Sequence, residues 1–347
     1  MGATMKDIAK RTGLGLATIS SYLNGGNVLE KNRIKIEEAI EELHFEVNEV
    51  ARGLKTNRTK TIGIVIPELN NIFFAEIITE AEDILRSHGY ATMICDCRSD
   101  AEREKEAVEF LYHRRVDGLI VMPTGRTDPG FKRFVRAGRP VVMIDRKMQD
   151  VSCDCILVDN KGAARDAVKR LVKSGHRKIG MIAGPEDVYT AKERLKGFRE
   201  AVAELRADTD ETLIAGGNYT IAGGAAAMRK LHERHPDMTA VFVTNYEMMV
   251  GAMMEINDLG IRVPDELSVI GFDNVDFARA SVPKLSIVTQ PTASIAQAAA
   301  EILIGRLEGR LPEKEENADD AEGQKLSATV TLKTGFVDGR SVRPLNA

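Results

Sequence analysis

Residues 4–24, TMKDIAKRTGLGLATISSYLN, read as two short helices joined by a tight turn. Thr4 followed by Asp7 is a capping-box-like start, and Met5, Ile8 and Ala9 give one apolar face at helical spacing. Gly13 breaks that pattern where a turn is needed. The second helix, 16–24, would bury Ile19 and Leu23 while Ala17, Thr18, Ser21 and Tyr22 face outward. Short side chains on an outward face suit a helix that enters the major groove of DNA. A helical hairpin with no such role could share the pattern.

Working outward, a third helix at 31–43 places Ile34, Ile36, Ala39, Ile40 and Leu43 largely along one side. It closes a headpiece over 1–47. Residues 48–55 form a short helix candidate with Asn48 as its N-cap, and Gly53 within it costs up to about 1 kcal/mol relative to alanine. Such a helix is marginal alone, so 48–60 reads as a hinge that orders only when held.

From Thr61 the pattern changes. Strand candidates at 62–66, 91–95, 119–122, 141–144, 156–158, 179–182, 240–243, 267–271 and 285–288 alternate with helices such as 73–88, 101–114, 163–173 and 193–205. Alternation of this kind means parallel sheets covered by helices, and so many strands suggest two doubly wound units. Ligands in such sheets bind outside the carboxyl ends of the strands, so the cleft between units is the default site. Residues 313–324, acidic and without long apolar side chains, read as a solvated loop before the strand-like 328–333.

Composition narrows the class. The chain has 347 residues, 43% hydrophobic and without tryptophan, enough for a small module plus one large or two medium domains. No apolar run approaches a membrane span and no secretory signal precedes the first helix, so a cytoplasmic location without membrane contact is expected. Net charge is -4, which does not advertise nucleic-acid binding, although 52–60 is basic and free of acids. Cys95-Asp96-Cys97 and Cys153-Asp154-Cys155 are spaced too tightly for the usual first pair of a zinc site. In a strand, each pair puts two small apolar side chains on one face, so no metal and no cofactor are expected.

The ordered segments 6–13 KDIAKRTG, 18–20 TIS, 23–24 LN, 48–54 NEVARGL, 62–74 IGIVIPELNNIFF, 190–198 TAKERLKGF, 243–245 VTN and 268–274 SVIGFDN resemble the LacI/GalR family of bacterial transcription regulators. The resemblance runs over nearly the whole chain. It implies a helix-turn-helix headpiece, a hinge helix at 48–60, and a periplasmic-binding-protein-like core at 61–340. The core would divide into an N-subdomain of about 61–159 plus 290–318 and a C-subdomain of about 160–289 plus 319–340.

On the DNA side, the resemblance implies contacts from Thr4, Lys6, Leu16, Ala17, Thr18, Ser20, Ser21 and Asn24. The pair that chooses operator bases falls on Leu16 and Ala17. Both are apolar and could touch thymine methyls, but cannot make bidentate hydrogen bonds; Leu16 could instead belong to the core. Leu54 matches the hinge leucine that wedges into a minor-groove step, with Asn48, Ala51 and Lys55 completing the hinge. Packing of Leu54 against the core is the alternative. Two departures bear on the operator: Gly15 stands where the family commonly has serine, and Ser21 where it commonly has arginine.

In the core the resemblance implies effector contacts from Asn71, Phe73, Phe74, Asp145, Arg146, Arg194, Asn245, Tyr246, Asp273 and Gln290. Amides, carboxylates, guanidinium groups and aromatic faces are what a polyol requires. Of Phe73 and Phe74, at most one is expected to reach the ligand. Arg194 could instead join a surface ion pair, and Asp273 could merely cap the turn before Val275. The family's usual NPFF is Asn71-Ile72-Phe73-Phe74 here, and its Asn-Asp is Asn245-Tyr246. Met248, Met249, Met253 and Met254 are expected in the core of the next helix, and His176 is expected to be structural.

The expectation is a homodimeric regulator of pseudo-palindromic operator DNA, released by a small sugar-like inducer; a corepressor would reverse the sign. A sugar-binding transport component lacks a reason for the headpiece. An enzyme on this fold lacks an activated nucleophile or a P-loop, so no catalytic residue is expected.

Overall fold

The computed structural model describes residues 3–23, 25–46, 58–124, 127–148, 150–311 and 328–345. Two compact units result, 1–60 and 61–347.

The small unit holds α1 (Met5–Thr12), α2 (Leu16–Leu23) and α3 (Glu30–Glu42). The Asp7 carboxylate accepts from the Thr4 backbone N–H at 2.8 Å and the Thr4 hydroxyl at 2.6 Å, closing the first turn. Gly13 ends α1 in the left-handed region at φ +70°, its N–H donating to the Ala9 carbonyl at 2.9 Å. Ile8, Ile19, Ile36 and Ala39 are buried together, with Leu23, Ile40 and Leu43 packed around them. Three expectations fail here. Ile34 stays 49% exposed, because two residues along a helix it points about 200° away from Ile36. Met5, in the opening turn of α1, also stays exposed. Tyr22, expected outward, packs against the small core because it follows Ile19 by three residues, and its hydroxyl donates to Glu37 at 2.9 Å.

The large unit contains two six-stranded sheets. In the first, β1 (Thr61–Ile66) lies between β2 (Ala91–Asp96) and β3 (Gly118–Val121), followed outward by β4 (Val141–Ile144) and β5 (Asp154–Val158). In the second, β6 (Ile179–Ala183) lies between β7 (Ile214–Gly216) and β8 (Ala240–Val243), then come β9 (Ser268–Phe272) and β10 (Ser286–Thr289). These pairings are all parallel. Strand order reverses beside β1 and beside β6, the two switch points of a doubly wound fold. The expected architecture, two parallel-sheet subdomains behind a helical headpiece, is borne out.

Continuous burial of most inner strands follows from helices on both faces. On the first sheet, Ile62, Ile64 and Ile66 pack under α4 (Ile72–Ser87) and α12 (Thr292–Leu307). Val65, Leu119 and Val121 face the other way, onto α5 (Ala101–His113) and α6 (Phe131–Arg136). The second sheet is covered on one face by α7 (Asn160–Lys173) and α8 (Tyr189–Glu204), on the other by α9 (Ile221–Arg234), α10 (Tyr246–Asp258) and α11 (Val275–Ala280). Cys97, Cys153 and Cys155 are buried in the apolar layer beneath α5 and α6, with Cys95 packed against it.

The expected boundary near the carboxyl end is wrong. β11 (Thr329–Leu332) pairs parallel to β5 and so extends the first sheet, while β12 (Gly335–Val337) pairs antiparallel to β10 in the second. The chain crosses back within 333–334, not near 319, because strand hydrogen bonding carries 329–332 into the first unit. β7 and β12 were not anticipated; three residues at a sheet edge are too few to show a period. The acidic segment 313–324 lies outside the described residues. Among the described residues, no helix is long and apolar enough to cross a membrane.

Candidate effector site and nucleic-acid interface

A cavity opens at the carboxyl ends of both sheets, lined from one side by Asn71, Phe73, Phe74, Asp145 and Arg146 and from the other by Arg194, Asn245, Tyr246, Asp273 and Gln290. Every core position expected from the sequence therefore faces one space. Both Phe73 and Phe74 line it, with ring centroids 5.3 Å apart.

Each side chain is held by its own element. Asn71 caps α4, its carbonyl oxygen accepting from the Phe73 N–H at 3.0 Å. Asn245 caps α10 in the same way, accepting from the Met248 N–H at 3.0 Å. Asp145 sits at φ +66° directly after β4, and the Arg146 Nε donates to it at 3.2 Å. Arg194 is buried, donating to the Asn160 amide oxygen at 2.7 Å and stacking 3.7 Å from the Phe272 ring centroid. It is no surface ion-pair member. Asp273, at φ +64°, accepts from Gln290 Nε2 at 3.0 and 3.2 Å. The cap before Val275 is Asn274, whose side chain accepts from the Phe277 N–H at 2.9 Å, so Asp273 is left to face the cavity. The Gln290 Oε1 atom is buried without a partner. Non-glycine residues at positive φ concentrate here, a strain that persists only where the surroundings enforce it.

Sequence reasoning missed Glu247, Glu68 and Tyr219, which also line the cavity. Glu247 accepts from Asn71 Nδ2 at 2.6 Å and from Asn245 Nδ2 at 2.5 Å, so it bridges the two halves of the cleft. Desolvation, with Glu68 and Asp273 nearby, raises its pKa to about 7; desolvation likewise raises Asp273 to about 6. An acid in the first turn of a helix ordinarily complements the dipole, which hid Glu247 in the sequence. Tyr219 follows Gly216-Gly217-Asn218, a run whose positive-φ tendency was the available signal.

Other expectations sort plainly. Met248, Met249 and Met253 are buried, whereas Met254 is 55% exposed, since it points away from the helix face its neighbours occupy. His176 is fully buried between Thr239 Oγ1 and the Arg343 carbonyl, each 3.0 Å away, and ties the chain end to the second sheet. On the small unit, Thr4, Lys6, Leu16 and Ala17 are exposed and Thr18, Ser20 and Ser21 half-buried. Leu16, at 46% exposure, lies at the surface and not in the core. Asn24, Asn48, Ala51, Leu54 and Lys55 lie outside the described residues.

Two family models match the chain: bacterial regulatory proteins of the lacI family over residues 4–48, and the periplasmic binding protein-like domain over 168–332. The HTH-type transcriptional repressor PurR of Vibrio atlanticus (strain LGP32) is 32% identical over 314 residues, covering 90% of this chain and 94% of that one. The chain belongs to the LacI family. The HTH-type transcriptional regulator CelR of Thermobifida fusca is 34% identical over 318 residues, covering 89% of this chain and 93% of its own. A solved CelR–cellobiose complex aligns with a TM-score of 0.72 at 30% identity, covering 98% of this chain and 99% of that chain. This LacI-family member is a DNA-binding transcriptional regulator and not an enzyme.

Proposed function

We propose that this regulator is a homodimeric, cytoplasmic repressor released from a pseudo-palindromic operator by a small sugar or sugar derivative. The observation that carries the reading is the convergence of Asp145, Arg146, Arg194, Asn245 and Asp273, with two phenylalanine rings, on one cavity between the sheets. Hydroxyls need paired donors and acceptors, and a sugar ring needs an aromatic face; both are present. The related CelR structure holds cellobiose, which points the same way.

In this reading residues 1–47 read the major groove, with Leu16 and Ala17 against thymine methyls and Thr4, Lys6, Thr18, Ser20, Ser21 and Asn24 around them. The hinge at 48–60 enters the minor groove with Leu54 as wedge, supported by Asn48, Ala51 and Lys55. The core at 61–340 binds effector through Asn71, Phe73, Phe74, Asp145, Arg146, Arg194, Asn245, Tyr246, Asp273 and Gln290. Exposed apolar side chains on both halves, Leu69 and Ile94 on the first and Ile221 and Met254 on the second, favour self-association. Glu247 joins Asn71 on one half of the cleft to Asn245 on the other, so an effector that competes for these amides shifts the relative position of the halves.

The test is fluorescence anisotropy of the protein on its own upstream DNA, titrated with a panel of sugars. Tight, salt-sensitive binding abolished by one sugar is the expected result. Binding that requires the sugar would reverse the sign to corepression, and absence of binding under all conditions would remove the reading.

A further inference from the structure

The cleft continues past the residues expected from the sequence. Beyond Phe73, Asp273 and Gln290 a second cavity opens, about 150 Å³ against about 60 Å³ for the first, and these three side chains line both. Its further walls include Glu76 on α4, Asn274 and Asp276 at the start of α11, and Thr292 at the start of α12. Three carboxyl groups, Glu76, Asp273 and Asp276, thus border it, and among the described residues no arginine or lysine does. The helix dipole accounts for Asp276 in the first turn of α11, but not for Glu76, which lies beyond the first turn of α4.

Across the two cavities the hydrogen-bond donors are largely engaged, while acceptors remain open. Asn71 and Asn245 both donate to Glu247, and Gln290 donates to Asp273. Arg146 donates to Asp145 and the Pro123 carbonyl, Arg194 to Asn160 and the Thr244 carbonyl. An ionised carboxylate only accepts, so Gln290 must turn its nitrogen to Asp273, which leaves Oε1 buried without a partner. A buried acceptor without a partner is costly, and it marks where a donor of the ligand belongs. Desolvation, with the charges of Asp145 and Glu76 nearby, pushes Asp273 up to about 6, a sign of an acid short of counter-charge. A metal ion fits poorly, since among the described residues no three His, Cys, Asp or Glu lie close enough to hold one. Carboxyl groups spread round a cavity suit an organic ammonium, whose three N–H donors diverge.

We propose that the effector is an amino sugar whose protonated amine lies at the junction of the two cavities, donating to Asp273 and Gln290 Oε1 and attracted by Glu76 and Asp276. The inference rests on the sugar-effector reading above and names the kind of sugar. The sugar ring occupies the first cavity against Phe73 and Phe74, and the second cavity receives the amine and any glycosidic extension beyond it. The same carboxyl groups repel phosphorylated sugars and sugar acids, so they select by charge as well as by shape.

The experiment is calorimetry on the full-length protein slightly below neutral pH, where the amine is protonated. The ligands are glucosamine, galactosamine, mannosamine and the β-1,4-linked glucosamine dimer. Each is paired with its neutral parent sugar and its N-acetylated form, which keep the skeleton and lose the charge. At least one amino sugar is expected to bind at least about tenfold more tightly than both of its counterparts. In the double variant Glu76→Gln/Asp276→Asn that preference should fall to about threefold or less. Both residues are exposed, so the variant is expected to fold, and thermal melting verifies it; Glu76→Gln alone serves if it does not. Neutral sugars that bind as tightly as the amino sugar in every pair would overturn the proposal and leave the sugar reading standing. A preference that survives intact in the folded variant would overturn it as well. If no sugar of any kind binds, the sugar reading itself falls, and this inference with it.

Discussion

Glu247 shows how one carboxyl group can link two halves of a cleft. With its pKa raised to about 7, the folded protein retains a proton that an unfolded chain releases near 4.3. Its contribution to stability is therefore fully present at low pH and is lost as pH rises through about 7; Asp273, raised to about 6, acts in the same direction. Urea midpoints measured between about pH 5 and 8 should decline, and Glu247→Gln should flatten the upper part of that decline. The same substitution is expected to reduce the pH dependence of effector affinity over that range, read by calorimetry. At Gly15 the backbone is not left-handed and a Cβ would meet nothing within 4 Å, so Gly15→Ser fits. Its hydroxyl can cap α2 and should stabilise the headpiece by a few tenths of a kcal/mol, seen as a higher melting temperature.

Among the elements, α9 and α10 approach closely through reciprocal glycines. A Cβ on Gly251 would lie 1.9 Å from the Ile221 carbonyl oxygen, and one on Gly224 would lie 2.2 Å from that of Met248. Backbone sits where side chains normally separate helices. Gly251→Ala should therefore destabilise the core by about 1–3 kcal/mol in urea unfolding, although alanine is the better helix former. Since α10 begins at Asn245 and Glu247, the same variant should weaken effector binding. Of these helices, only the one carrying Met248 to Met254 was legible in the sequence. Their separation was not, because a glycine contributes nothing to an apolar pattern.

The whole molecule is tied together by contacts far apart in sequence. Arg306 on α12 makes a two-pronged ion pair with Asp154 at the start of β5, both distances 2.9 Å, and Asp154 also accepts from the Ala328 N–H at 2.8 Å. One carboxylate thus joins α12 and β5 to the residue just before β11. Asp154→Ala strands a mostly buried guanidinium, and a loss of about 2–4 kcal/mol in unfolding free energy is expected. At the same scale, effector and operator affinities must be coupled reciprocally: a sugar that weakens DNA binding by some factor is bound more weakly by that factor when DNA is present. Titrating the sugar with and without operator checks this.

The sequence by itself determined the element types, the two-sheet core behind a helical headpiece, and the family. Apolar period and motif order are local properties, and they survive in a linear string. The ten expected cleft residues were legible through the resemblance of short local motifs to the family, and the structure brings all ten to one cavity. Only the tertiary structure decided that 329–332 joins the first sheet and that Glu247 and Tyr219 enter the cavity. Strand pairing, desolvation and charge clustering depend on distances between segments remote in sequence, and those exist only once the chain has folded.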